Sequence, residues 1–211
     1  MRGAPFFRRP PVITAIAVIL LSGCLGKSQS TRFYALTPMS EDQRVSPGER
    51  PAKNAAIGIG PIKLADYLDQ SKLVTRASDN RLVQAEYDQW AGSFKDNLIN
   101  VLAENIGFML PTNRIYIYPW RTTVPIDYQI VMDVVRFDGE LGQNALLVAR
   151  WSLLGGPDRE LLQGGRASIR EPVKGSGYSD LVAAQSRALT RLSQEITAAI
   201  QAARQGQPPG K

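Results

Sequence analysis

The 211-residue sequence has no histidine and one cysteine. Without histidine there is no Ser-His-Asp or Cys-His nucleophile system. An imidazole proton switch near neutral pH is excluded as well. A single cysteine excludes an internal disulfide, a CxxC redox pair, an iron–sulfur cluster and a Cys/His zinc site. Any metal would be a hard cation held by carboxylates and carbonyls. Acids are fewer than bases, 19 against 25, so the net charge is +6. Long apolar runs are also lacking, and a mean hydropathy of −0.17 excludes a polytopic membrane protein. At 44% hydrophobic and 21% charged, the chain has the composition of an ordinary globular domain. Its length suits one domain with tails.

The N-terminus reads as a targeting segment. Arg2, Arg8 and Arg9 form a basic region, and Val12 to Leu21 form a short apolar one. Leu21-Ser22-Gly23-Cys24 follows, completing a secretory pattern. The cysteine directly after Ser-Gly resembles a bacterial lipobox. That resemblance implies a signal peptide over 1–23, a diacylglycerol on the Cys24 thiol and an acyl group on its new amine. No other cofactor is expected. A transmembrane anchor fits poorly, because ten residues at ~1.5 Å each span half of a ~30 Å hydrocarbon core. A mature chain from Cys24 to Lys211 has a net charge of +3, since residues 1–23 carry three arginines and no acid. Leu25 follows the cysteine. An aspartate there resembles an inner-membrane retention signal, so its absence favours the outer membrane, facing the periplasm, in a Gram-negative host. Residues 24–31 form a lipidated tether, of which the polar stretch 26–31 reaches ~20–25 Å at most.

The remaining chain predicts one α+β domain over 32–203. Short strands are expected at 32–36 and 57–62, separated by a polar loop over 37–54. Two β-rich runs, 72–78 and 81–85, flank Asp79-Asn80, a hairpin turn. Tyr87, Trp90, Phe94, Leu98, Val101, Leu102 and Ile106 recur at helical spacing and predict a helix over 87–108. A strand over 114–118 ends at Pro119. Three longer β segments at about 126–139, 145–154 and 160–170 read as an antiparallel meander. In the second, Leu147, Ala149, Trp151 and Leu153 share one face. A last helix, 180–203, is capped by Ser179 or Asp180, and 204–211 reads as a disordered tail. The expected architecture is a mainly antiparallel sheet with two amphipathic helices packed on one face.

Candidate chemistry is sparse. Gly58-Ile59-Gly60-Pro61-Ile62-Lys63 superficially suggests a nucleotide loop, but Lys63 replaces the third glycine and Pro61 lacks an N–H. A strand with an edge proline fits better. Asp133 lies in an otherwise apolar strand; it reads as a solvent-facing residue beside Gln129, or as paired with Arg136 or Arg150, rather than as half of a hydrolytic carboxylate pair. Lysine and arginine are too dispersed for a phosphate track, so no nucleic acid is expected. Tyr116, Tyr118 and Trp120 share one parity around Pro119. Such residues are sheet packing or, if exposed, interface anchors.

Several ordered stretches carry a more specific signal. They are Phe33-Tyr34-Ala35-Leu36, Tyr67-Leu68-Asp69, Leu73-Val74-Thr75-Arg76, Asp79-Asn80-Arg81-Leu82 and Trp90. Leu102-Ala103-Glu104-Asn105, Arg114 to Trp120, Val134 to Gly139 and the helix from Ala183 to Ile196 follow. This series resembles the PqiC-type family, the ABC-transport auxiliary lipoproteins, over about residues 24–203. The resemblance implies a non-catalytic outer-membrane lipoprotein that docks the periplasm-spanning tube of an MCE-domain transport protein. It further implies a homo-oligomeric ring, with an octamer as one form, lipid as cargo, and a role in envelope integrity. Tyr67, Arg76, Trp90, Tyr118 and Trp120 carry over as partner-binding or fold-motif positions; Arg76 reads equally as a local ion pair near Asp79, worth under ~1 kcal/mol. Two other readings stand beside docking. An independent lipid-carrying lipoprotein requires a continuous apolar cavity. An envelope hydrolase is left only Ser/Lys or carboxylate schemes.

Overall fold

The computed structural model describes residues 29–40, 55–110, 112–121 and 123–206, together with Gly3. The expected signal peptide, the lipidation site Cys24, loop residues 41–54 and tail residues 207–211 lie outside the described residues. The folded unit starts at Thr31.

Among the described residues, eight strands and two long helices follow in order. Strands β1 (Arg32–Tyr34), β3 (Lys72–Ser78) and β4 (Arg81–Trp90) form a three-stranded sheet in the order β1-β4-β3. Strands β2 (Ile57–Leu64), β5 (Ile115–Ile117), β6 (Tyr128–Gly139), β7 (Asn144–Gly155) and β8 (Glu160–Pro172) form a five-stranded sheet ordered β5-β2-β6-β7-β8. Helix α1 is Phe94–Met109 and helix α2 is Tyr178–Arg204.

The α+β class holds, but the single, mainly antiparallel sheet is replaced by two mixed sheets. The meander β6-β7-β8 and the hairpin β3-β4 are antiparallel, as their short turns require. β1 pairs in parallel with β4, and β2 pairs in parallel with both β5 and β6. These partners lie far apart in the chain, where turn signals say nothing about direction.

Tyr87 and Trp90 belong to β4 rather than to the first helix. Their spacing mimics a helical face, but Ser93 starts the helix, its Oγ accepting from Asp96 N at 3.2 Å. The second helix starts earlier than predicted, at Tyr178. Gly177 is its N-cap residue, and Asp180 Oδ2 accepts from Gly177 N at 3.1 Å.

The main core lies between the helices and one face of the five-stranded sheet. Leu98, Leu102 and Ile106 of α1 join Leu189, Leu192, Ile196 and Ile200 of α2. They cover Ile57, Ile59, Ile130, Met132, Leu147 and Leu153, and each of these residues is buried. A register shift in β6 between Val134 and Arg136 reverses its alternation. Ile130, Met132 and Val134 point to the helices before it, and Phe137 does so after it. Asp138 is thereby turned to the opposite face.

Candidate functional site

Three polar or aromatic clusters stand out. The first centres on Asp138, which is fully buried. Tyr67 Oη donates to Asp138 Oδ2 at 2.8 Å. Arg76 donates from Nε to Oδ1 and from Nη2 to Oδ2, both at 3.0 Å. Arg136 Nε donates to Oδ1 at 2.9 Å. Burial alone would push this carboxyl upward, but bonds from Arg76 and Tyr67 and the Arg136 charge hold it below the usual carboxylate range. The Tyr67 hydroxyl is pushed up to about 12 by burial, then by its bond to the Asp138 anion. Arg76 also donates to the Asp79 backbone oxygen at 2.6 Å. Its ion pair is with Asp138, so the local pair near Asp79 is corrected to a long-range one. Tyr67 and Arg76 thus tie the β3-β4 side of the molecule to β6.

The second cluster fixes the chain where it enters the fold. Asp88 is buried and accepts both Arg32 Nε and Nη2 at 2.8 Å, with Tyr34 Oη at 2.6 Å. Its pKa is lowered, the Arg32 hydrogen bond outweighing burial. Beyond β1, Leu36 N donates to Asn97 Oδ1 at 2.7 Å and Thr37 N to Ser186 Oγ at 3.1 Å. Met39 N donates to buried Asn105 Oδ1 at 2.8 Å, and Asn105 Nδ2 reaches Ser193 Oγ at 3.2 Å. Residues 36–39, expected to be the end of a strand (Leu36) and the start of a loop (37–39), are a strap bonded to both helices.

The third cluster is the one at the surface. Tyr118 is 51% exposed and meets Trp120 edge to face, with centroids 5.4 Å apart. Two glycines of β2 make room for these rings. A Cβ on Gly58 would lie 2.8 Å from Trp120 Cη2, and one on Gly60 would lie 2.8 Å from Tyr118 Cβ. Gly60 also has φ +113°, open to glycine at little cost. The glycine pattern that suggested a nucleotide loop is an aromatic cradle. Arg159 Cζ sits 5.5 Å over the Trp120 ring. The Arg159 guanidinium donates to the Gln129 side chain, which donates to Gly60 O at 2.7 Å. Arg159 takes φ 55°, uncommon for a residue with a side chain. Beside the cluster a groove of about 720 Å³ runs past Ile126, Tyr128, Arg159, Leu162 and Ala203.

Trp90 is elsewhere. It is buried and stacks on Phe94 at 4.5 Å, and Phe94 meets Phe137. The five carried-over positions therefore divide: Tyr67 and Arg76 form one buried node, Trp90 packs the core, and exposed Tyr118 lies against half-buried Trp120 over the glycines of β2. Sequence reasoning missed Asp138, Asp88 and Arg159. Asp138 stood inside the Val134–Gly139 stretch, but Asp133 drew attention as the acid in an apolar strand. Asp133 is half-buried with Arg150 as its register partner, while Arg136 pairs with Asp138. Among the described residues, no group of three or more His, Cys, Asp or Glu could hold a metal ion. None of their helices is long and apolar enough to cross a membrane.

Comparison with known proteins places this geometry. The fold is similar to that of protein XCC0632 from Xanthomonas campestris, with a TM-score of 0.68 and 18% identity over 83% of this chain and 99% of that one. It is also similar to an uncharacterized protein of known structure, at TM-score 0.66 and 19% identity, covering 82% and 99%. No curated protein sequence matches. The family model for the ABC-type transport auxiliary lipoprotein component matches residues 34–197, from β1 well into α2. The chain therefore belongs to the ABC-type transport auxiliary lipoprotein family.

Proposed function

We propose that this protein is a non-catalytic, outer-membrane lipoprotein subunit of an MCE-type intermembrane lipid transport system. Acyl groups on Cys24 hold it in the bilayer, and its folded unit docks the periplasm-spanning MCE tube. The observation that supports docking most directly is the Tyr118–Trp120–Arg159 cluster. Tyrosine, tryptophan and arginine are the residues that dominate binding energy at protein interfaces. Here Tyr118 is exposed and Trp120 and Arg159 are half-buried on the sheet face turned away from the helices, held by two glycine cradles and a backbone conformation that costs energy at Arg159. Nothing in the core requires that expense.

A ring suits the same reading. The five-stranded sheet ends in β5 on one side and β8 on the other. Two unlike edges allow a head-to-tail contact, the kind that closes into a ring. An independent lipid carrier would use the groove by Arg159. That groove is open and includes Asp127 as well as apolar residues, whereas the space between helices and sheet is filled by core side chains.

The test is crosslinking in intact membranes, purification through a C-terminal tag, and identification of what is recovered. An MCE-domain protein is expected, and Tyr118→Ala with Trp120→Ala should lose it while the chain stays folded. Recovery of the chain alone, or of lipid alone, would refute docking.

A further inference from the structure

The five-stranded sheet has a second face, turned away from the helices, and beyond the aromatic cluster over Gly58 and Gly60 its chemistry changes. Lys63, Asp133, Arg150 and Arg166 are successive register partners across β2, β6, β7 and β8. They make one row of side chains over four strands. Lys63, Arg150 and Arg166 are exposed. Arg150 and Arg166 are directly opposed on neighbouring strands, an arrangement that destabilises a sheet. Among the described residues, neither has an ion-pair partner, although Asp133 is one strand away. Arg170, also exposed, lies two places beyond the row on the same face of β8, with Ser168 between. Like charges set side by side without neutralisation mark a site where stability is given up for something else.

We infer that this face is a contact surface for the phosphate-bearing headgroups of anionic phospholipid. Charge complementarity supports an anion, and the row is four strands wide, suited to a surface of many phosphates. Membership of a lipoprotein family favours a bilayer over a protein, since a lipid attachment would hold the chain beside phosphates. The inference rests on that attachment and not on the docking role.

The test uses the full lipidated chain reconstituted into vesicles of phosphatidylcholine alone, or of phosphatidylcholine mixed with phosphatidylglycerol. Ser168→Cys places a nitroxide within the cationic face, and Gln194→Cys places one on the exposed side of α2 as a control. The acylated Cys24 is unavailable to the label. In the anionic vesicles the Ser168 label should lose accessibility to an aqueous relaxation agent, and the Gln194 label should not. A cation near an anionic surface contributes roughly five-fold to association, so Arg150→Gln with Arg166→Gln should lower the contact equilibrium about 30-fold. Arg150→Lys with Arg166→Lys should preserve it, which separates charge from folding. High salt should release it, since the screening length falls to ~3 Å at 1 M. Equal accessibility in both vesicle types would overturn the inference, as would protection that survives the glutamine pair. Protection of Ser168 only by an acidic protein partner would overturn it too, making the face a protein interface. None of these readouts involves the MCE partner, so failure here and failure of docking are separate results.

Discussion

Replacing Asp138 by asparagine should be among the most damaging single changes available in the described fold. The side chain keeps its size, so the packing argument is neutral and electrostatics decide. In the native state one carboxylate accepts four hydrogen bonds, from Tyr67, Arg76 twice and Arg136. An amide offers one acceptor oxygen and turns an NH₂ toward donors. The Arg76 side chain is 12% exposed and Asp138 is fully buried, so water cannot take over. Removing one partner of a buried pair costs about 3–5 kcal/mol, chiefly through the stranded charge. With a urea m-value near 2 kcal/mol/M, that is a fall in midpoint of about 2 M. The assay is urea unfolding followed by circular dichroism, on the full chain in detergent micelles. Arg76→Met combined with Asp138→Leu should recover much of the loss, because it removes the two most buried charges and leaves Arg136, whose side chain is 31% exposed, to water. A fall below about 0.5 M for Asp138→Asn would refute the assignment of this carboxylate as the tie between the two sheets.

Other outcomes follow from the same structure. The Tyr67 hydroxyl is raised to about 12, so its contribution is complete below the ordinary tyrosine pKa of ~10 and is lost as pH rises from there to about 12. Tyr67→Phe should flatten that alkaline limb of a stability–pH curve. The carboxyls of Asp138 and Asp88 are both lowered. Their contribution is present above the unfolded carboxylate value of ~3.9 and disappears as pH falls through the lower folded values, so acid unfolding should steepen only below that point. Asn105→Ala leaves the Met39 N–H buried without a partner, which should cost about 1–3 kcal/mol and speed hydrogen exchange at the strap. Arg159→Gly relieves a left-handed backbone worth ~1–2 kcal/mol and forfeits a cation–π contact worth ~0.5–1 kcal/mol. Its melting temperature should barely move while recovery of the MCE partner falls; a large loss of stability without loss of recovery would contradict the docking surface.

What the sequence disclosed depended on range. Hairpin β3-β4, the meander β6-β7-β8 and helix α2 rest on turns and periodicity within a few residues, and they are where they were expected apart from their ends. The boundary between β4 and α1 was hidden because Tyr87 and Trp90 happen to continue a helical spacing, and only the Ser93 cap breaks it. Parallel pairing of β2 with β5 and β6 has no local signature. The site followed the same rule. Tyr67 and Arg76 were visible as motif residues, but their partner Asp138 is 62 or more residues away. The register shift that turns Asp138 outward cannot be read from alternation. Gly58 and Gly60 looked like phosphate-loop glycines because the same missing Cβ serves a phosphate or an indole ring.

The clamp at the start of the fold has a mechanical meaning. In the docking arrangement proposed above, lipid anchor and partner would pull at two points, and the pull would enter through β1. Drawn backward along its own axis, a strand paired in parallel with its neighbour loads all its rungs in shear rather than opening them one at a time. The Arg32–Asp88 fork and the strap bonds to Asn97 and Asn105 follow one another along the chain from that point. Tension from a bilayer would thereby spread into β4 and both helices before any single bond had to yield. In that arrangement the polar strap would also be a strain relief, of the kind fitted where a cable enters its housing.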